Sequence, residues 1–198
     1  MKKLLLNVSV MLSIIVIFNF ICNSEVYAAS YIVRGVTVEE SADNSLKAVA
    51  DGEFNSFPDS VKNSFAANGW RYVITKKGDL GRIAGKAGWK VDGYTDKAAK
   101  TIYINGELKD MDTLYHEMGH FIDLSYSINN GTGVWYSDAP EFQAMFKSES
   151  RAAGEYAMNS PAEFFAEVVH DIMIDPQTIS VKCPGATKYV NSCLTGAY

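Results

Sequence analysis

Cationic excess is missing from this 198-residue chain, in which 18 Lys and Arg stand against 23 Asp and Glu, so nothing offers the basic face that nucleic acid requires. No Gly-Lys-Ser or Gly-Lys-Thr closes the glycine-rich stretch from Gly78 to Gly93, which excludes a phosphate-binding loop there. The chain also lacks internal repeats, low-complexity tracts and a recognisable linker, which argues against a solenoid or a string of modules. Cysteine and histidine are scarce, at three residues each. That scarcity gives weight to any place where either residue type clusters.

The single long apolar run lies at the start. Lys2 and Lys3, the stretch from Leu4 to Ile21, and Val26-Tyr27-Ala28 form the basic, apolar and small-residue regions of a secretory signal peptide. Asn7 and Asn19 interrupt the run, and it is short for a membrane span. Cys22 raises lipid anchoring as an alternative, but Asn19-Phe20-Ile21 before it lacks the small residue that such processing needs. The expected organisation is a signal peptide over residues 1–28, cleaved after Ala28 or Ala29, and one exported domain over residues 29–198. That domain, of about 170 residues, is long enough for a single sizeable core. Lys2, Lys3 and Glu25 leave with the signal, taking the formal charge from -5 to about -6.

Removal of Cys22 leaves Cys183 and Cys193 as a pair that an oxidising medium would permit to join. A regular helix through both would hold them about 15 Å apart, too far to bridge. Pairing therefore requires Pro184-Gly185 to turn the chain.

The pattern predicts an α+β, mainly helical domain with a small sheet. Tyr31 to Val38 and Trp70 to Thr75 read as strands, as does Thr101 to Asn105. Helical spacing runs over Ser41 to Ala50, Pro58 to Ala67, Asp110 to Tyr126, Ala139 to Ala153, Pro161 to Ile174 and Ala186 to Leu194. Gly78 to Gly93 reads as an irregular loop, and Asn129 to Gly133 as a polar one. The helix from Asp110 carries apolar residues nearly all round, which predicts burial inside the domain.

Two of the three histidines lie on that helix, in His116-Glu117-Met118-Gly119-His120. Residues four apart project from one side, so two imidazoles can reach one metal ion, and the intervening Glu117 can act on water as a base without being a ligand. The pattern is short and arises by chance elsewhere. Here the polar residues sit on a helix that otherwise looks buried, where they need partners, and Gly119 at mid-helix implies a packing reason.

A catalytic zinc takes three protein ligands and keeps one open position. Glu163 is the preferred third ligand, in Ser160-Pro161-Ala162-Glu163-Phe164-Phe165-Ala166-Glu167. A capping box between Ser160 and Glu163 explains Glu163 equally, but leaves unexplained why Glu163, Glu167 and His170 share a face. Glu167 is assigned a supporting role, receiving the other ring N–H of a ligand histidine; a solvated charge or a partner of His170 is the alternative. His170 lies about 10 Å farther along the helix, too far to share the ion, and is expected in the core or behind the ligands. Asp123 is either a ligand or a hydrogen-bonding support, with support preferred.

The segments HEMGHFID, Tyr156 and SPAEFFAE together resemble the catalytic domain of anthrax toxin lethal factor and the related secreted Pro-Pro endopeptidases of Gram-positive bacteria. The resemblance runs from about Thr101 to the C-terminus, and the size, leader and C-terminal Cys-Pro place the Pro-Pro endopeptidases closer in layout. It implies a zincin-type fold, one zinc held by His116, His120 and Glu163, Glu117 as catalytic base, and Tyr156, seven residues before the third ligand, as the group that stabilises the oxyanion. The functional expectation is a secreted zinc metalloendopeptidase acting on extended peptides or proteins. Proline-rich cleavage sites are suggested by the resemblance alone, and the strand from Thr101 to Asn105 is expected to pair with substrate. The alternative is a secreted binding or toxin-associated module that keeps the fold without the chemistry. A monomer is expected, without nucleic acid and without stable membrane insertion once the signal is gone.

Overall fold

The computed structural model describes residues 36–38, 44–75, 80–86, 90–108 and 112–196. The expected signal peptide and its cleavage site lie outside them, as do residues 31–35 of the first expected strand.

The described chain is α+β and mainly helical. In order it forms β1 (Val36–Val38), α1 (Asn44–Ser56), α2 (Asp59–Ala67), β2 (Arg71–Thr75), the short turn of helix α3 (Leu80–Ile83), β3 (Gly93–Asp96) and β4 (Thr101–Asn105). Then come α4 (Thr113–Asn130), α5 (Pro140–Ala153), α6 (Pro161–Ile174), α7 (Pro176–Lys182) and α8 (Pro184–Thr195), with single 3-10 turns at Tyr136–Asp138 and Tyr156–Met158. The four strands lie in the order β1-β2-β4-β3. β1, β2 and β4 are parallel, and β3 runs antiparallel to β4, with Gly93 opposite Ile104 and Asp96 opposite Thr101.

This order corrects one expectation. β4 pairs with β2 on one side and β3 on the other, so its backbone groups are already satisfied and it has no edge to offer a substrate. Its burial agrees, because Ile102 and Ile104 on one face and Thr101 and Asn105 on the other are buried, as befits a strand covered on both faces. The edge on that side is β3, within and just beyond the stretch expected to be an irregular loop.

The core joins the sheet to the helices through aromatic contacts. Phe65 of α2 meets Phe121 of α4 edge-on, with ring centroids 4.9 Å apart, and Trp70 packs on the same ring at 5.3 Å. Phe142 of α5 lies 5.4 Å from both Phe164 and Phe165 of α6. Each fully buried aromatic of this kind contributes about 1.5–3 kcal/mol relative to exposure.

Helix ends follow local chemistry. α4 runs to Asn130 and stops at Gly131, whose φ of 64° is the left-handed conformation that glycine adopts without a Cβ penalty; Asn129 and Asn130 are thus helical and not part of a loop. Ser160 caps α6 by accepting the Glu163 amide, with Pro161 in the first turn. Glu149 of α5 accepts the amides of Gly185 and Ala186 at 3.1 and 3.0 Å, anchoring the start of α8. Pro184 opens this helix instead of turning the chain, so Cys183 and Cys193 stand at its two ends, and both are free and buried. α7 was not foreseen. Among the described residues, no helix is long and apolar enough to cross a membrane.

Candidate metal centre

α4 and α6 pack against each other along the face that carries the histidines. A Cβ built on Gly119 would lie 2.6 Å from the Cα of Ala166, closer than real Cβ atoms come to backbone. Glycine at this one position lets the two helices approach backbone to backbone, which is the packing reason its mid-helix place implied. The approach brings Glu163 to both histidines: its Oε2 lies 3.2 Å from His116 Nε2 and 3.3 Å from His120 Nε2. One nitrogen from each histidine and one Glu163 oxygen all fall within 4.8 Å of one another.

These separations suit a metal. Ligand bonds of about 2.0–2.1 Å in a tetrahedron put neighbouring donor atoms roughly 3.3 Å apart. Two imidazoles and one carboxylate are also a donor set found in catalytic zinc sites with an open position. Among the described residues, no other cluster of this kind occurs. The capping box and the metal are not rivals, because Glu163 offers its backbone amide to Ser160 and its carboxylate to the histidines.

The second nitrogen of His116, Nδ1, lies 2.8 Å from Glu167 Oε1. Burial disfavours a charged His116, but the hydrogen bonds it donates to the Glu163 and Glu167 carboxylates, with Glu117 nearby, outweigh it and hold the imidazole up at about 10. Conversely, burial would raise the Glu163 carboxyl, and the two histidines overcome this and hold it below the usual carboxylate range. The pocket therefore favours positive charge at the point where the three donor atoms converge.

Glu117 is buried and faces β3. Its Oε2 accepts the Thr95 hydroxyl at 2.6 Å. Burial raises its pKa, against the opposing pull of His120 and His116, so its environment favours holding a proton. Gly93 sits against the same carboxylate, where a Cβ would come within 2.5 Å of Oε1. Neither Thr95 nor Gly93 was singled out in the sequence, because β3 is four residues long and lies at the end of a glycine-rich stretch that gives no strand pattern.

Tyr156 stands in the 3-10 turn just before α6 and is 54% exposed. Its ring meets His116 edge-on with centroids 5.5 Å apart. Burial of part of the ring, with Glu163, Glu117 and Glu167 nearby, pushes the phenol up to about 12, so it remains a hydrogen-bond donor at neutral pH.

Two other residues lie away from the three donors. Asp123 is fully buried, and its Oδ1 accepts the Ser137 amide at 2.7 Å, tying α4 to the turn Tyr136–Asp138. His170 pairs through Nε2 with Asp112 at 3.3 Å and through Nδ1 with Asp171 at 3.0 Å. Two open cavities flank the centre and share Glu117, Tyr156, Gly93 and Lys86. One, of about 290 Å³, extends past His120 to Trp135; the other, of about 420 Å³, extends past His116 to His170.

No protein-family model matches the chain, and no curated protein matches its sequence. Among solved structures, its fold is similar to that of the Pro-Pro endopeptidase of Paenibacillus alvei, with a TM-score of 0.62 over 82% of this chain and 98% of that one. The two sequences are 16% identical in that alignment, so the likeness is one of fold.

Proposed function

We propose that the chain is a secreted zinc metalloendopeptidase. The observation that carries this reading is the convergence of His116, His120 and Glu163 on one point, beside the buried Glu117 carboxylate and in the wall of an open cleft. The fold shared with a Pro-Pro endopeptidase supports it. The wider resemblance to the lethal factor catalytic domain rests on the motif residues themselves.

His116, His120 and Glu163 would hold the ion, and Glu167 would orient His116 through Nδ1. A zinc ion there supplies Lewis acidity to water and to the scissile carbonyl. Glu117, in its ionised form, takes the proton from the attacking water; burial raises its affinity for that proton, which it holds until it delivers it to the leaving amine. Tyr156 donates its hydroxyl to the oxygen on which negative charge develops. β3 is the strand that borders the cleft and has no partner on its outer side among the described residues, so an extended peptide would add to it as a further strand. Preference for proline-rich sites is supported by the fold likeness and by the motif resemblance.

The competing reading, an inactive secreted module, would be favoured by loss of a ligand or of the base, and here all four groups are present. The test is elemental analysis combined with peptide-library cleavage, with and without a chelator. One zinc per chain and chelator-sensitive cleavage are expected. Glu117→Gln should retain the zinc and lose cleavage, and peptide hydrolysis persisting in that variant would falsify the mechanism. The mass of the N-terminus of exported protein tests the signal peptide, with cleavage after Ala28 or Ala29 expected.

A further inference from the structure

The two cavities beside the metal centre differ in how their charges are balanced. On the His116 side, Lys86 and Lys90 share the lining with Asp92, Asp112, Glu117 and Glu167. On the His120 side, Lys86 and Lys97 are the cations, and the carboxylates present are Glu117 and Glu163. Both of those are already engaged, Glu117 with Thr95 and Glu163 with the two histidines.

Among the described residues, neither Lys86 nor Lys97 forms an ion pair with a carboxylate. Lys97 is nevertheless held in place, because its ammonium sits 4.0 Å from the centroid of the Trp135 ring. A ring contact of this kind restrains the side chain without consuming its N–H donors as a carboxylate would. Tyr94, Trp135 and Tyr156 wall the same cleft, and low-dielectric walls focus the field of the cations into it. The cavity thus holds two ammoniums that no carboxylate pairs directly, in a chain whose formal charge is -5.

We infer that the His120-side cavity binds a carboxylate of the substrate through Lys86 and Lys97. The inference rests on the peptidase reading for the nature of the ligand, a peptide. That carboxylate is either an Asp or Glu side chain close to the scissile bond or the free C-terminus of the peptide, since both present the same group to the two ammoniums. The lysines are exposed, so the effect is moderate and sensitive to salt, on the order of a fivefold preference.

The test uses the zinc-loaded Glu117→Gln protein, which binds peptides without turning them over. Fluorescence-polarisation competition is measured for N-acetylated octapeptide pools in which each position in turn is fixed as Glu or Gln. Each pool is made with an amidated and with a free C-terminus. The expected result is about fivefold tighter binding, either of Glu over Gln at one register or of free acid over amide; the two arms distinguish side chain from terminus. The preference should disappear in Lys86→Met and Lys97→Met, persist in Lys97→Arg, and weaken in high salt. Equal binding of Glu and Gln at every register together with equal binding of acid and amide would overturn the inference. So would a preference that survives the Lys86→Met/Lys97→Met double variant. Cleavage of the same pools by the unaltered zinc-loaded protein is scored separately. If carboxylate preference is found and nothing is cleaved, the peptidase reading fails and the binding site stands.

Discussion

Gly119 and Ala166 mark the point where α4 and α6 touch with no side chain between them: a methyl group on Gly119 would overlap the Ala166 backbone. His116, His120 and Glu163 lie on either side of this contact, so the convergence of their donor atoms depends on it. Gly119→Ala should gain up to about 1 kcal/mol of helix propensity and lose about 1–3 kcal/mol to overpacking. The expected outcome is weaker zinc binding in chelator competition, with no rise in Tm. Unchanged zinc affinity would mean that the close approach does not set the ligand positions.

Thr95 holds the carboxylate of Glu117 from the neighbouring strand. Thr95→Val keeps the shape of the side chain and removes the hydroxyl. Cleavage should fall in kcat by roughly tenfold, the equivalent of one hydrogen bond to a charged group, with KM and zinc content little changed. Thr95→Ser should restore most of the rate. If Ser and Val variants behave alike, the hydroxyl is not what positions the base.

Glu167 reaches the nitrogen of His116 that faces away from the metal centre. Glu167→Gln should weaken zinc binding by about 10–100-fold, the usual effect of losing such a support, while Glu163→Gln, which alters a ligand, should weaken it more. Zinc titration against a chromophoric chelator ranks the two. The reverse order would exchange their roles.

Glu53 of α1 is 5% exposed, and neither carboxylate oxygen has a hydrogen bond of normal geometry. Burial, with Asp112 nearby, raises its pKa to about 7, against the Leu114 amide and His170. The folded chain thus holds this proton more tightly than the unfolded chain does. Stability falls as pH rises through the window from 4.5 to about 7, a loss of up to about 3 kcal/mol. Glu53→Gln removes this dependence. Its stability relative to the unaltered protein, from urea unfolding, should therefore improve by about that amount between pH 5 and pH 8. A constant difference across that range would show that Glu53 titrates normally.

The local parts of this protein were legible in its sequence. Spacing of four on a helix dictates that His116 and His120 face the same way, and Ser160-Pro161 dictates where α6 begins, because both follow from backbone geometry within a few residues. Periodicity likewise gave the buried helix and the central strands, and with them the α+β class. Tyr156 was selected by resemblance and not by any pattern of its own, since a half-exposed tyrosine in a 3-10 turn leaves no periodic trace.

What tertiary structure alone decided are the meetings between distant segments. That Glu163 lies within 3.3 Å of both histidines depends on two helices approaching where Gly119 and Ala166 leave room. That β3, and not β4, forms the edge beside the cleft depends on hydrogen bonds between strands, which no single strand encodes. That Cys183 and Cys193 remain apart depends on Pro184 starting a helix whose first amides are held by Glu149 of another. Each is a contact across many residues, and its energy belongs to the packing of the whole core rather than to the residues on either side of it in the chain.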